Sequence, residues 1–555
     1  MLHAGIRKRL PPGLVASATV VAILVSLGVL QAVGSGSPVI TSAAATGEST
    51  SDGVPVYAGA AATPSAAEQP ATTTAQIKNV VLLLADDLDW ALFDQIPRLR
   101  ALREQGTTLS NFVVTDSLCC PSRSSIMRSQ FVHNHGVLSN VVQSGGGWET
   151  FFKRHLERDG LPTWLKAAGA QTALVGKYLN GFPKGAPTPT YVPPGWDHFV
   201  TALAGNEVYG GYDYVLTRNG TIAKRARGRA EFVNDVLTRD ATEWLAQASM
   251  PFFLEFASYS PHVPAPVAER NLGSHAGTQA PRTPSFNATG IDEPAWLRKV
   301  PTIRPEGLPR LDDLWTRRLE SAESIADSYD ALVAQLKASG HDSDTLIIVT
   351  SDNGYHVGAH RLPTGKQTAY HEDTIVPAVL IGPGITPGAM IGRMTSTIDL
   401  APTIADLMGA SVPTWADGRS LLPLLTNPDT TSWRTGILVE SLAGAKPGDP
   451  DYTGFDAPAF HALRTENWLY VDYERGETAL YDLNNDPYEI NNIVSTAALG
   501  VLAAMREQLA ALERCAGPSC RVADSMPIPP GSVLTVPGPS GTASPEPTST
   551  ASPVG

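Results

Sequence analysis

Two acidic groups stand at the ends of two similar apolar runs. In "NVVLLLADD" the run 80–84 leads to Asp86 and Asp87, and in "TLIIVTSDNG" the run 346–349 leads to Asp352 and Asn353. Short continuous runs of β-forming residues suit strands buried on both faces of a parallel sheet. Ligands of open α/β sheets gather beyond the carboxyl ends of strands, so the two acidic groups can meet at one edge. Three carboxylates and an amide oxygen make a hard oxygen set, suited to Ca²⁺ or Mg²⁺ rather than to a soft-ligand metal. An Asp-Asp pair by itself is more often a turn or a helix cap. The repeated strand-then-acid pattern is what favours a metal site.

The stretch "DSLCCPSRSSIMRSQ", residues 116–130, adds a second kind of chemistry. Pro121 predicts a helix that starts at that residue, with Cys119 just ahead of its N-terminus. Free backbone N–H groups and the helix dipole there favour an anion. Arg123, one turn in, adds a fixed positive charge. A metal, a helix N-terminus and an arginine together suit a tetrahedral oxyanion, sulfate or phosphate. A thiolate at Cys119 is a poor partner for a hard metal. Cysteine in its native form therefore does not fit such a site.

The elements that must position these residues follow from periodicity. A helix is predicted over 96–105, ending at Gly106. Another precedes the later acidic group, with Ile325, Tyr329, Leu332 and Leu336 at helical spacing and Gly340 beyond its end. "AVLIGPG" offers a further buried strand. Strands alternating with helices predict an α/β domain over 77–410, with a large mixed, mainly parallel sheet flanked by helices. Beyond it, "FHALRTENWLYVDYERGETALYDL" alternates and predicts antiparallel strands with a turn near Arg475-Gly476. A helix over 497–514 follows, so residues 411–523 read as a smaller α+β subdomain of antiparallel strands packed on a helix. A Gly-Pro turn between Cys515 and Cys520 predicts a disulfide.

With 555 residues, 43% hydrophobic and 17% charged, the chain can form one large domain and a smaller one. A formal net charge of -13 argues against a nucleic-acid binder, yet leaves room for a local cationic cleft. Arg7, Lys8 and Arg9 precede an apolar run over 14–33, which makes residues 1–34 a signal peptide or an uncleaved signal anchor. Either places the body outside the cytoplasm, secreted or in the cell envelope, where disulfides persist. The anchor is the one route to membrane association. Residues 35–76 and 524–555, rich in Ala, Ser, Thr and Pro, read as a disordered linker and tail. "KRARGR", residues 224–229, reads as a solvated loop or as a grip on a sulfated polymer.

"CCPSR" carries the pattern Cys-x-Pro-Ser-Arg, and the chain resembles the formylglycine-dependent sulfatases of the alkaline phosphatase superfamily. "LLADD", "CCPSRSSIMRSQFVHNHGV", "VGKYLNG", "SYSPHVP", "SDNGYHVGAH", "VPAVLIGPGI" and "IDLAPTIADLMG" occur in that family's order. So do "ALRTENWLYVDY" and "LYDLNNDPYEINNI", so the resemblance covers nearly the whole folded part. "HNH", "GKYLN", "SDNGYH" and "CAGPSC" are nearest to the N-acetylglucosamine-6-sulfatase-like subgroup. The resemblance implies that Cys119 is oxidised to formylglycine (3-oxoalanine) by a formylglycine-generating enzyme before folding is complete, with Cys120 as the variable position. It implies Asp86, Asp87, Asp352, Asn353 and the modified Cys119 as ligands of Ca²⁺, with Mg²⁺ as the alternative. It implies that Arg123 holds the formylglycine hydrate and that Lys177 contacts hydrate and sulfate. His262 in "SPHVP" and Lys366 in "TGKQT" match sulfate-binding and leaving-group positions. Read singly, His262 suits a packing role between prolines and Lys177 a solvated loop charge; the ordered motifs favour catalysis. Many arylsulfatases have His where this chain has Leu179. His133 and Asn180 are candidates to replace it, and His356 is a candidate to line the pocket.

The implied activity is hydrolysis of sulfate esters of a sulfated small molecule, sugar or aryl, or of a sulfated glycan. One hydroxyl of an aldehyde hydrate attacks sulfur, and the second expels sulfate, a step that an ordinary Ser or Cys nucleophile cannot supply. Two rivals stand beside it: a phosphodiester or phosphonate monoester hydrolase of the same superfamily, and a surface protein that binds sulfated glycans without turnover. Loops 144–152 and 203–214 are expected to shape the pocket.

Overall fold

The computed structural model describes residues 77–203, 207–224 and 231–528. The expected signal segment, the 35–76 linker, residues 225–229 of the basic run and residues 529–555 of the tail lie outside the described residues. Ten strands form one sheet: β1 (Asn79–Ala85), β2 (Thr107–Leu109), β3 (Gln171–Gly176), β4 (His198–Ala202), β5 (Val215–Arg218), β6 (Thr221–Lys224), β7 (Phe252–Ala257), β8 (Thr345–Ser351), β9 (Ala378–Ile381) and β10 (Met390–Ile391). Their order is β10-β2-β9-β8-β1-β7-β3-β4-β5-β6. The five central strands, from β8 to β4, run parallel. Strand β9 on one side and the β5-β6 hairpin on the other run antiparallel to their neighbours.

Every residue of β1 and β8 is buried. Val80, Leu82 and Leu84 enter one core, whereas Val81, Leu83 and Ala85 enter another on the opposite face. A strand covered on both faces has no solvent side to encode, which is why these runs are apolar without alternation. Helix α1 (Cys119–Arg128) packs through Ile126 and Met127 into the first core, and helices α2 (Val233–Leu245) and α3 (Leu308–Ser339) cover the other. Gly340 ends α3 in the left-handed region, with φ 75°, a conformation that costs glycine little.

Segment 96–105 is not one helix. It breaks into Pro97–Arg100 and Leu102–Gln105, after an earlier turn of helix over Trp90–Gln95. Pro97 disfavours the helical region at the preceding residue, and Ile96 is accordingly extended at φ -94°, ψ 109°. Helix α1 starts at Cys119, two residues earlier than Pro121 predicts. Proline is tolerated there because the first-turn N–H groups have no intrahelical partner to lose.

Strand register brings the chemistry to one edge. Ala85 lies opposite Ser351, Leu84 opposite Ala257, and Gly176 opposite Ala257 on the other side of β7. Asp86-Asp87, Asp352-Asn353, Lys177 and the loop to His262 therefore emerge side by side. Gly176 makes this possible: its φ is +126°, and a Cβ there would sit 1.8 Å from the Ala257 carbonyl oxygen.

The C-terminal strands β11 (Gly436–Ser441), β12 (Phe460–Thr465), β13 (Trp468–Tyr473) and β14 (Thr478–Asp482) form a separate antiparallel sheet in chain order. Helix α4 (Leu499–Leu512) covers Leu438, Leu463, Tyr470 and Leu480 on one face. The other face packs through Ile437 and Val471 against Val113 and Tyr370 of the main body. The fold continues past residue 523: buried Asp524 pairs with Arg434 Nε at 3.1 Å.

Cys515 and Cys520 form a disulfide across a separation of five residues. Closing so short a loop contributes about 2 kcal/mol by loop entropy. The double variant Cys515→Ala/Cys520→Ala is expected to lose about that much in urea unfolding; an unchanged midpoint would contradict it.

Candidate active site

Each group at this edge is held by a different element. Asp86 and Asp87 end β1, Asp352 and Asn353 end β8, and Lys177 ends β3. Cys119 and Arg123 come from α1, His262 from the loop after β7, and Lys366 from the segment after the short strand Thr364–Gly365. Asp87 adopts a left-handed φ of 68°, a strained choice for a residue with a Cβ.

Three cations meet three carboxylates here. Lys177 Nζ lies 2.7 Å from both Asp86 oxygens. Lys366 Nζ lies 2.7 Å from Asp87 Oδ1 and 2.9 Å from Cys119 Sγ. Arg123 donates from Nε to Asp352 Oδ2 at 2.7 Å and from a terminal nitrogen to the Lys177 carbonyl at 3.0 Å. All six charged residues are buried. Removing one partner of such a pair leaves a buried charge uncompensated, at about 3–5 kcal/mol. Cys119 Sγ is 3.6 Å from Asp86 Oδ1, and Cys119, Asp86, Asp87 and His262 offer ligand atoms within 4.8 Å of one another.

The electrostatics match the pairing at Asp87 and Asp352, whereas at Asp86 burial outweighs Lys177 and raises the carboxyl. Burial alone would raise the Asp87 carboxyl, but Lys366, His262 and Lys177 hold it below the usual range. Burial likewise opposes ionisation of Asp352, and Arg123 and Lys177 outweigh it. Burial would lower the Lys366 ammonium, yet Asp87, with Asp451 farther off, pushes it well above its ordinary value. Burial pushes the Cys119 thiol well up despite Lys177 and Lys366, and it pushes Cys120 up to about 12. Neither sulfur is an ionised nucleophile as plain cysteine.

Two buried acceptors in this cluster, Asp87 Oδ2 and Asn353 Oδ1, have no hydrogen-bond donor among the described residues. Buried polar atoms rarely go unpaired. Oxygen acceptors left open among carboxylates are what a hard divalent cation requires, so the residues present fit one.

A cleft of about 590 Å³ opens over the cluster, with Lys366, His262, Asn180, Tyr209 and Asp451 among its walls. His262 stacks on Tyr209 with ring centroids 4.4 Å apart. Its Nδ1 lies 2.6 Å from the Val263 carbonyl, which can only accept, so Nδ1 carries a proton and Nε2 faces Asp87 Oδ2 at 3.7 Å. Loop 203–214 reaches the cleft through Glu207, Tyr209 and Gly210. Loop 144–152 does not line it; Ser144 instead holds Asp449 at 3.3 Å.

Of the candidates to replace a histidine at position 179, Asn180 reaches the cleft, with its Oδ1 buried and without a hydrogen-bond partner among the described residues. Leu179 itself is packed in the core. His133 is not brought to the cluster: its ring lies between Glu440, 2.9 Å away, and the Cys515 carbonyl, 2.9 Å away. Burial works against its charge, but the Glu440 carboxylate wins and raises it to about 9. His356 sits behind the cleft, its Nδ1 2.9 Å from Asp373 Oδ1 and its backbone paired with Gly365, and so braces the segment that carries Lys366.

Sequence reasoning missed Asp451. Its carboxylate is 3.6 Å from Lys366 Nζ and accepts from Asn140 Nδ2 at 2.6 Å. Asn140 Oδ1 in turn accepts from the Cys120 N–H at 2.8 Å, in the first turn of α1. Burial would raise Asp451, and Lys366 and His262 hold it below its usual value.

Comparisons with known proteins point the same way. The family model described as sulfatase matches residues 78–410, and that of the N-sulphoglucosamine sulphohydrolase C-terminal region matches 358–515. The N-acetylglucosamine-6-sulfatase of Homo sapiens is 34% identical over 478 residues, covering 80% of this chain and 86% of that one. An extracellular sulfatase, a SULF-1 homologue of Drosophila melanogaster, is 31% identical over 65% of this chain and 33% of its own length. Among solved structures, BT4656, in complex with its substrate D-glucosamine-2-N,6-O-disulfate, superposes with a TM-score of 0.64 at 20% identity, covering 75% of this chain and 93% of that one. Among the described residues no helix is long and apolar enough to cross a membrane.

Proposed function

The chain belongs to the sulfatase family, as a sulfuric ester hydrolase, and we propose that it releases 6-O-sulfate from a glucosamine-type sugar outside the cytoplasm. The observation that carries the reading is Lys366 Nζ, 2.9 Å from Cys119 Sγ at the floor of a cleft walled by His262 and Asp451. The sugar class is supported by what the human relative is named for and by the sugar bound to BT4656. A carboxylate in the cleft wall, Asp451, suits a substrate rich in hydroxyl donors. The extracellular relative supports the location.

Formylglycine at position 119 would supply, as its hydrate, one hydroxyl to attack sulfur and a second to expel sulfate. Asp86, Asp87, Asp352 and Asn353, with the modified Cys119, would hold Ca²⁺, or Mg²⁺ in its place, which supplies Lewis-acid charge. Cys119 is fully buried, so a formylglycine-generating enzyme must act before the chain closes over it. The rest of the chemistry belongs to side chains. Lys177 and Lys366 offset charge growing on the sulfuryl oxygens. Arg123 fixes Asp352 and the Lys177 backbone. His262 has its Nδ1–H tied to the Val263 carbonyl, and in its imidazolium form, beside Asp87, the Nε2–H is the proton that would pass to the departing alcohol, leaving a neutral ring.

Sulfate release from N-acetylglucosamine-6-sulfate, galactose-6-sulfate and an aryl sulfate tests the reading. The expected kcat/KM is at least about tenfold higher for the glucosamine ester, the discrimination that roughly 1.4 kcal/mol of differential transition-state binding gives. Equal rates on the two sugars would overturn it.

A further inference from the structure

Thr364 lines the catalytic cleft and also walls a second cleft, of about 540 Å³. The first turns of α3 form its far side, including Arg310, Leu314 and Arg317, with Ile303 and Pro363 adding apolar surface. Arg310 and Arg317 are seven residues apart on α3, so two turns of helix place them on the same side.

Both guanidinium groups are exposed, and neither makes an ion pair or hydrogen bond among the described residues. Asp313 shares the cleft but pairs with neither. Two other arginines near α3 are tied up: Arg270 by Asp235 and Asp327, Arg282 by Asp312. In a chain with a net charge of -13, two unpaired cations in a concave site mark a place for an anion. The cleft is also rigidly placed. Arg318, next to Arg317, is buried and binds Asp89 Oδ2 at 3.0 Å and the Asp87 carbonyl, which ties this part of α3 to the catalytic loop.

We propose that the second cleft binds the neighbouring unit of a glycan through its carboxylate, while the unit bearing the scissile ester occupies the catalytic cleft. Arg310 and Arg317 supply charge-assisted hydrogen bonds, and Leu314, Ile303 and Pro363 receive the C–H face of the ring. The proposal rests on the sulfated-sugar reading above and extends it from one sugar unit to two.

Two measurements on the full chain test it. The first compares KM for a 6-O-sulfated glucosamine monosaccharide, for a tetrasaccharide of alternating glucosamine and uronic acid, and for its carboxyl-reduced counterpart. In Arg310→Ala/Arg317→Ala, KM for the acidic tetrasaccharide is expected to rise about fivefold, the scale of two exposed charge pairs. The other two substrates are expected to stay within twofold. An unchanged KM for the acidic substrate, or an equal rise for the reduced one, overturns the proposal. The second measurement is calorimetric binding of the acidic tetrasaccharide to Cys119→Ala, with and without the two arginine substitutions. Arginine-dependent binding upholds the cleft even if no sugar sulfate is turned over, a result that would sink the substrate reading alone. Arginine-independent or absent binding overturns the cleft.

Discussion

Cys119→Ala is expected to lower kcat/KM for sulfate release by at least about 10⁴-fold, the scale of losing a covalent nucleophile. Cys120→Ala should stay within about tenfold. The neighbouring sulfurs differ in environment, although both are buried. Cys119 Sγ faces Lys366, Asp86 and Asp87. Cys120 packs in the core beside Ile126 and Trp148, so truncating it opens a small void at about 1 kcal/mol and leaves the cleft intact. Peptide mass spectrometry across residues 104–123 should show the aldehyde at position 119 in active protein. Equal loss in the two variants, or full activity with an unmodified thiol at Cys119, would refute the assignment.

Removing divalent cations with a chelator is expected to reduce turnover at least about 10²-fold, as loss of a main electrostatic stabiliser does. Melting temperature should fall as well. A cation that binds only the folded chain stabilises it by about 2.7 kcal/mol when present at a hundred times its Kd. The chelated protein should still fold, because Lys177, Lys366 and Arg123 already neutralise the three carboxylates. Excess Ca²⁺ should restore both melting temperature and rate. Full activity in protein shown by elemental analysis to be metal-free would exclude the cation. Asp87→Asn offers a separate check: its melting temperature should no longer respond to Ca²⁺.

Legibility in the sequence followed the physics of each element. β1 and β8 were readable because strands buried on both faces are uniformly apolar, and the carboxyl-end rule then brought Asp86, Asp87, Asp352 and Asn353 to one edge. The expectation that the cysteine is altered before it serves there came from the family pattern, since composition and spacing stopped at a thiol that does not suit a hard metal. Segment 96–105 was misread because Pro97 was not weighed against the helical periodicity around it. The β5-β6 hairpin carried a readable signal in Asn219-Gly220, whose φ values of 47° and 80° suit a tight turn. Asp451 was not legible: it lies in a Gly- and Pro-rich segment of no fixed period, and only tertiary packing brings it to Lys366. His133 sat in a motif shared with the family, yet its partner Glu440 is 307 residues away, a separation that no local pattern encodes.

Asp451, Pro450, Tyr452 and Thr453 reach the catalytic cleft from the connection between β11 and β12. Every proposed bond-making residue lies upstream, between Asp86 and Lys366. The proposed reacting apparatus and part of the proposed selectivity filter are thus written in separate stretches of chain, and the filter hangs from a sheet covered by α4 on one face and by the main body on the other. That division lets the two drift at different rates, with one tie between them: the 442–459 segment can be rewritten or lengthened around Asp451, whose carboxylate must stay to balance Lys366. Changes of preferred sugar within this lineage should accumulate there first.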